Sequence, residues 1–167
     1  MSGTHARGFH VLVALGVLAL DRFSKWIVAS RLSLQDTITV IPGFFRITHV
    51  ENSGAAFGLF SDSSFEWKLT LLILFSLVAL GVVTVLLWKN SHIVNATGTA
   101  LALILGGALG NLWDRMIAGH VVDFLDFYVG SHHWPSFNVA DSAIVIGAVL
   151  LVADILFTKS PEQQRAR

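Results

Sequence analysis

The sequence predicts an α-helical integral membrane protein with four transmembrane helices, a small extracytoplasmic β-strand cradle and an interfacial helical loop. Three observations carry that fold class. Of the 167 residues, 54% are hydrophobic and only 13% are charged, where a soluble domain carries about a quarter charged residues. Apolar stretches recur at the length a bilayer demands, roughly 20 residues at 1.5 Å rise each. Between them lie two stretches of mixed polarity.

Taken in order, "FHVLVALGVLALDRFSKWIVA" (9–29) is the first span, although Asp21, Arg22 and Lys25 interrupt it. A cleaved signal peptide is the alternative, with Arg7 as n-region, 11–20 as h-region and "VAS" at 28–30 as the cut. Three charges between the apolar core and that cut argue against it. Residues 30–66 leave the membrane, and within them "DTITVIPGFFRITHVEN" reads as two strands, 37–41 and 45–50, around a turn at Pro42-Gly43. "LTLLILFSLVALGVVTVLLW" (69–88) is an uncharged second span. The third, 93–113, is rich in Gly, Ala and Thr, which let membrane helices pack closely. The short linker around 89–92 makes these two an antiparallel hairpin. Residues 115–137 mix acids with Val, Phe, Tyr and Trp, a composition suited to an element lying on the bilayer. The fourth span is 138–157. No repeat or second domain interrupts this single membrane domain, 1–167.

Four retained spans place both termini on one side. Arg7, Lys89, Lys159, Arg165 and Arg167 then oppose Arg31, Arg46, Lys68 and Arg115, a weak positive-inside bias. The basic tail "TKSPEQQRAR" favours cytoplasmic termini.

Composition also excludes. Net charge is zero, so nothing marks a nucleic-acid partner. Without cysteine there are no disulfides, thiolate metal sites or cysteine nucleophiles. No H-E-x-x-H or G-x-S-x-G pattern occurs, and His49 and His120 stand apart from the adjacent His132 and His133, so no metal or cofactor is expected.

Ionisable groups inside spans are expensive and mark functional sites. Asp21 and Lys25, four apart, form an expected structural ion pair. Asn111, Asp114 and Arg115 share a face near the end of the third span. Asp114 and Arg115 are expected among headgroups, whereas Asn111 lies deeper and needs hydrogen-bond partners. Asp123 and Asp126 sit three apart in "VVDFLD", read as the edge of an amphipathic helix with at least one acid solvated. The residues alone do not say which. Asn138 is a good N-cap for the last helix, and Asp141 in its first turn is favoured by the helix dipole.

Combination gives these acids a purpose. Asp123, beyond the third span, and Asp141, at the mouth of the fourth, flank one loop and can converge at one depth. Two facing carboxylates resist joint ionisation, so one retains a proton. The ionised acid can take a proton from water while the neutral one donates to a carbonyl oxygen, as in an aspartic protease.

Five stretches, "DRFSK" (21–25), "ENSGAAFG" (51–58), "GGALGNLWDR" (106–115), "VVDF" (121–124) and "FNVADS" (137–142), together resemble the bacterial lipoprotein signal peptidase (signal peptidase II) family. The resemblance implies an aspartic endopeptidase acting on diacylglyceryl prolipoproteins, cutting before the lipidated cysteine. It implies Asp123 and Asp141 as the catalytic pair, in preference to Asp126, with Asn52, Gly54, Asn111, Arg115 and Asn138 lining or supporting the site. It further implies a multi-pass protein of the bacterial inner membrane, termini cytoplasmic and dyad toward the outer leaflet, with 115–137 as a mobile helical lid. The small residues of "NSGAAFG" and "GGALG" are then expected to leave space for the signal helix and acyl chains. Expected partners are the lipidated substrate and membrane lipid, around a monomer. The rival reading is a small proton-coupled transporter, which would place its acids near the bilayer middle rather than at span ends. A structural subunit without chemistry is the third.

Overall fold

The computed structural model describes residues 3–54 and 65–157, which form α1 (Gly3–Arg31), β1 (Thr37–Ile41), β2 (Phe45–Asn52), α2 (Phe65–Asn90), α3 (Ala96–Ile117), β3 (Val121–Val129), β4 (His132–His133) and α4 (Val139–Phe157). Ala55–Gly58 of "ENSGAAFG" and the tail from Thr158, with Lys159, Arg165 and Arg167, lie outside the described residues.

Among the described residues three helices are long and apolar enough to cross a membrane: Trp67–Asn90, Ala96–Ile117 and Val139–Phe157. They correspond to the second, third and fourth expected spans. The first expected span lies inside α1, whose 29 residues extend about 43 Å. α1 is polar inside and apolar outside. Ala6, His10, Ala14, Asp21, Lys25 and Val28 are buried along one stripe, while Leu12, Leu15, Leu20, Phe23 and Trp26 are exposed. The spacing of that stripe is the helical one. Elsewhere an apolar cluster of Leu87, Leu101 and Ala102 is buried, but many apolar side chains still face outward. Among the described residues the largest fully buried side chains are Lys25, His10, Asn138 and Asp21, and Phe75, Val149 and Ile155 face outward. In water this distribution would be unstable, because buried polar groups cost free energy and exposed apolar ones gain none.

α3 is the central helix and packs against α1, α2 and α4. Asn95 caps its start, its side-chain oxygen accepting from Gly98 N at 2.6 Å. The glycines of "GGALG" let the helices meet. A Cβ on Gly106 would lie 2.5 Å from Ala14 O of α1, and one on Gly110 would lie 2.5 Å from Asp21 Oδ2. One on Gly107 would collide with Ala140 O of α4. These glycines therefore do not hold space open for a substrate, as their composition suggested. Their faces are already filled by α1 and α4.

The strands form one antiparallel sheet, β1-β2-β3-β4. The β1–β2 hairpin turns at Gly43, φ +75°, where glycine avoids the left-handed steric penalty. β3 corrects an expectation. Residues 115–137 do not form a helical loop. Arg115 belongs to the last turn of α3, and 121–129 run as a strand paired with β2 from Phe45↔Phe127 to Asn52↔Val121. "VVDFLDFYV" is β-branched and aromatic, which suits a pleated, half-buried surface, and the exposed β2 edge supplied its partner.

Candidate active site

The site lies where β3, β2, the end of α3 and the start of α4 meet. Asp123 comes from β3 and is 3% exposed. Asp141 comes from the first turn of α4. Three asparagines join them, and each presents its NH2 to a carboxylate because its oxygen is already held by another donor.

Asn138 precedes α4 as expected for a cap. Its Oδ1 accepts from Asp141 N at 2.9 Å, and Asp141 Oδ2 accepts from Asn138 N at 3.3 Å, a reciprocal pair like a capping box. With its oxygen so used, Asn138 Nδ2 donates to Asp123 Oδ1 at 2.7 Å. Asn52 lies one diagonal step across the sheet from Asp123, because Val50 pairs with Asp123 and Asn52 with Val121. Its Oδ1 accepts from Gly54 N at 3.0 Å, and its Nδ2 donates to Asp123 Oδ2 at 2.9 Å. Asn111 Nδ2 donates to Asp141 Oδ1 at 2.7 Å, while its oxygen accepts from Lys25 Nζ at 2.9 Å and from Asn138 Nδ2 at 3.3 Å. Asn111 and Asn138 thus link the two acids through one continuous network.

Among the described residues no cation touches Asp123 directly. Burial, and then the charge of Asp141, push its carboxyl up to about 6, against the opposing pull of Asn52, Asn138 and Lys25. Arg115, half-buried on α3, interacts electrostatically with both acids without a direct hydrogen bond.

Below the acids sits an ion cluster. Lys25 Nζ lies 2.8 Å from Asp21 Oδ2 and 2.7 Å from Asp114 Oδ2, so with Asn111 its three N–H groups have three acceptors. Arg22 pairs with Asp114 Oδ1, and Asp21 Oδ1 accepts from Ala140 N at 2.9 Å. Asp114 is therefore not a headgroup cap. It is 6% exposed and ties α3 to α1. The pairing was visible in part: two acids and two bases within two apolar segments need each other. What the sequence lacked was the α1–α3 contact.

Asp126 is also corrected. Neither acid of "VVDFLD" is solvated, since Asp126 is 2% exposed. Residues three apart on a strand point to opposite faces. Asp126 thus meets Arg46 Nε at 2.5 Å and His133 Nδ1 at 3.1 Å, away from Asp141. Arg46 and His133 were not singled out by sequence, and only the pairing of β3 with its neighbours brings them there. Among the described residues no three His, Asp or Glu side chains are grouped to hold a metal ion.

A family model described as signal peptidase (SPase) II matches residues 13–157. The lipoprotein signal peptidase of Solibacter usitatus (strain Ellin6076) is 48% identical over 154 residues, 92% of each chain. That of Geobacter sulfurreducens is 47% identical over 144 residues, 86% of this chain and 89% of its own. A bacterial membrane enzyme solved by the in meso method at 2.3 Å superposes with a TM-score of 0.81 at 32% identity, covering 92% of this chain and 93% of its own.

Proposed function

This chain belongs to the signal peptidase II family, and from that premise we propose that it removes the signal peptide from diacylglyceryl-modified prolipoproteins, cutting before the lipidated cysteine, with Asp123 and Asp141 activating water. The observation that carries the mechanism is the bridging of two carboxylates from different elements by amides alone. Asp141, at a helix N-terminus and accepting from Asn111, is the ionised member. Asp123, pushed up to about 6, holds the shared proton.

As the water oxygen attacks the scissile carbonyl carbon, Asp141 takes a water proton and Asp123 donates its proton to the carbonyl oxygen. Collapse of the tetrahedral intermediate breaks the C–N bond. The proton held by Asp141 passes to the leaving amine of the cysteine, and the carbonyl re-forms by returning its proton to Asp123. No covalent intermediate is needed.

α1 is the fourth span in this reading, its apolar exterior facing lipid and its polar stripe facing α3 and α4. The sheet end, carrying the dyad, faces the outer side of the inner membrane, and the termini lie in the cytoplasm. A lipidated cysteine held at the membrane surface reaches acids placed on β3 and at the mouth of α4. The transporter reading gains no support from acids in that position.

The test is incubation of the purified full chain with a prolipoprotein, with and without its diacylglyceryl group, followed by product mass. The expected product begins at the lipidated cysteine and forms from the lipidated precursor only. Equal cleavage of both precursors, or a cut elsewhere, contradicts the assignment.

A further inference from the structure

Lys25 does more than an inter-helix ion pair requires. It is 2% exposed and lies between two carboxylates, Asp21 and Asp114. Arg22 already serves Asp114 from the more open side. If joining α1 to α3 were the whole purpose, the ammonium could give all its donors to carboxylates. Instead one N–H goes to a neutral acceptor, Asn111 Oδ1, at 2.9 Å.

That bond has a directional consequence. A primary amide can turn about its terminal torsion and exchange its oxygen for its NH2. For Asn52 and Asn138 a backbone N–H holds the oxygen. Asn111 differs, since its oxygen is held by a charged side chain from another helix, 86 residues away, and more loosely by Asn138 Nδ2. Turning Asn111 would set its NH2 against the Lys25 ammonium and its oxygen against the Asp141 carboxylate, two repulsive contacts for two attractive ones. Charge-assisted hydrogen bonds are about twice as strong as neutral ones, so the ammonium determines the orientation.

We propose that Lys25 is a positioning residue of the peptidase: acting through Asn111, it aims an N–H at Asp141 and keeps that acid the ionised, water-activating member of the pair. The proposal rests on the dyad reading given above. The charged groups around it are Asp21 and Arg22 of α1, Asp114 and Arg115 of α3, Asp141 of α4 and Asp123 of β3. Removing the ammonium therefore also removes a positive charge felt by both active-site acids.

A double-mutant cycle in the full-length enzyme tests this, with K25M, N111A and K25M/N111A assayed for kcat and KM on a diacylglyceryl lipopeptide across pH. K25M is expected to lower kcat by about 30- to 100-fold with KM changed less than about threefold, the signature of a lost transition-state interaction. The double variant is expected within about threefold of N111A, because residues acting through one another are not additive. The limb of the K25M pH profile set by Asp123, which feels the Lys25 charge, should move to higher pH, which a merely structural role would not cause. Losses that multiply, or folded K25M with wild-type kcat and pH profile, overturn the proposal.

If K25M does not fold, D21N/K25M replaces it, removing the unpaired buried acid while leaving an oxygen for Ala140 N. The cycle is then run in the Asp21→Asn background, and the same outcomes decide. D123N and D141N in the same assay separate the two claims. Turnover retained in those variants defeats the dyad, whereas an additive cycle with an inactive dyad variant defeats only the role of Lys25.

Discussion

Asp123 and Asp126 stand three residues apart on one strand, are buried to within one per cent of each other, and have opposite surroundings. Asp126 is clamped by Arg46 and His133, and Arg46 also lies 5.3 Å over the ring of Tyr128. Among the described residues Asp123 receives only amide donors, from Asn52 and Asn138, and its nearest cations act at a distance. A cation in contact holds an acid ionised and makes it structural. Neutral amides orient an acid and leave its proton free to move. On the proposed reading, burial alone does not mark a catalytic carboxylate, and the kind of partner does.

The largest effect that can break this contrast is on turnover. Asp123→Asn should lower kcat by about a thousandfold or more, since a proton-transferring group is lost. Asp126→Asn should keep activity within about tenfold of wild type, because it lies on the opposite face of the sheet. Comparable losses in both, measured as initial rates on folded protein, would end the distinction.

Next comes the amide that joins both acids. Asn138→Ala removes the donor to Asp123 and the cap of α4, so kcat should fall about 10- to 100-fold, with a stability loss of about 1 kcal/mol from the missing cap. Near-wild-type kcat in this variant would show that the amide network does not orient the pair.

Protonation sharpens the contrast further. The folded-state pKa of Asp123, about 6, lies above its ordinary 3.8. A raised carboxyl pKa favours folding below the unfolded value, and that advantage is lost as pH rises through about 6. The buried charge then costs on the order of 2–3 kcal/mol at neutral pH. Asp123→Asn should therefore raise the thermal midpoint at pH 7.5 and leave it nearly unchanged at pH 4. A midpoint that falls at pH 7.5 would contradict the account. In the wild type, kcat/KM should decline as pH rises through a limb near 6, where the shared proton leaves the free enzyme. A kcat/KM that stays flat from pH 5 to 8 would remove the proton from Asp123.

The smallest expected effect is structural. Arg46→Lys keeps the charge beside Asp126 but loses the planar fork and its stacking on Tyr128, so stability should drop by about 1 kcal/mol with kcat unaltered. A changed kcat would mean that Asp126 communicates with the dyad after all.

Much of this was legible in sequence where the cause is local. The cap formed by Asn138 and Asp141 follows from their spacing, as do the β1–β2 hairpin and the Asp21–Lys25 pair. Three apolar helices were legible because their lengths are set by bilayer thickness. β3 was misread because "VVDFLD", with acids three apart, fits a helix edge as readily as a strand, and only pairing with β2 decided. That same choice determines whether Asp123 and Asp126 share a face. Asp114 was misplaced for a parallel reason, since its partners Lys25 and Arg22 lie on α1 and only packing against α3 brings them near. The third span was rightly read as packing closely through its small residues, but the faces of "GGALG" are filled by α1 and α4 rather than left for a substrate, which only the fold decides.

The central claim, a water-activating pair in Asp123 and Asp141, is tested most directly by product mass after incubating purified, folded D123N and D141N with a diacylglyceryl prolipoprotein. The account predicts intact precursor in both reactions beside complete processing by the wild type. Processed lipoprotein from either variant at a rate near the wild type would contradict it.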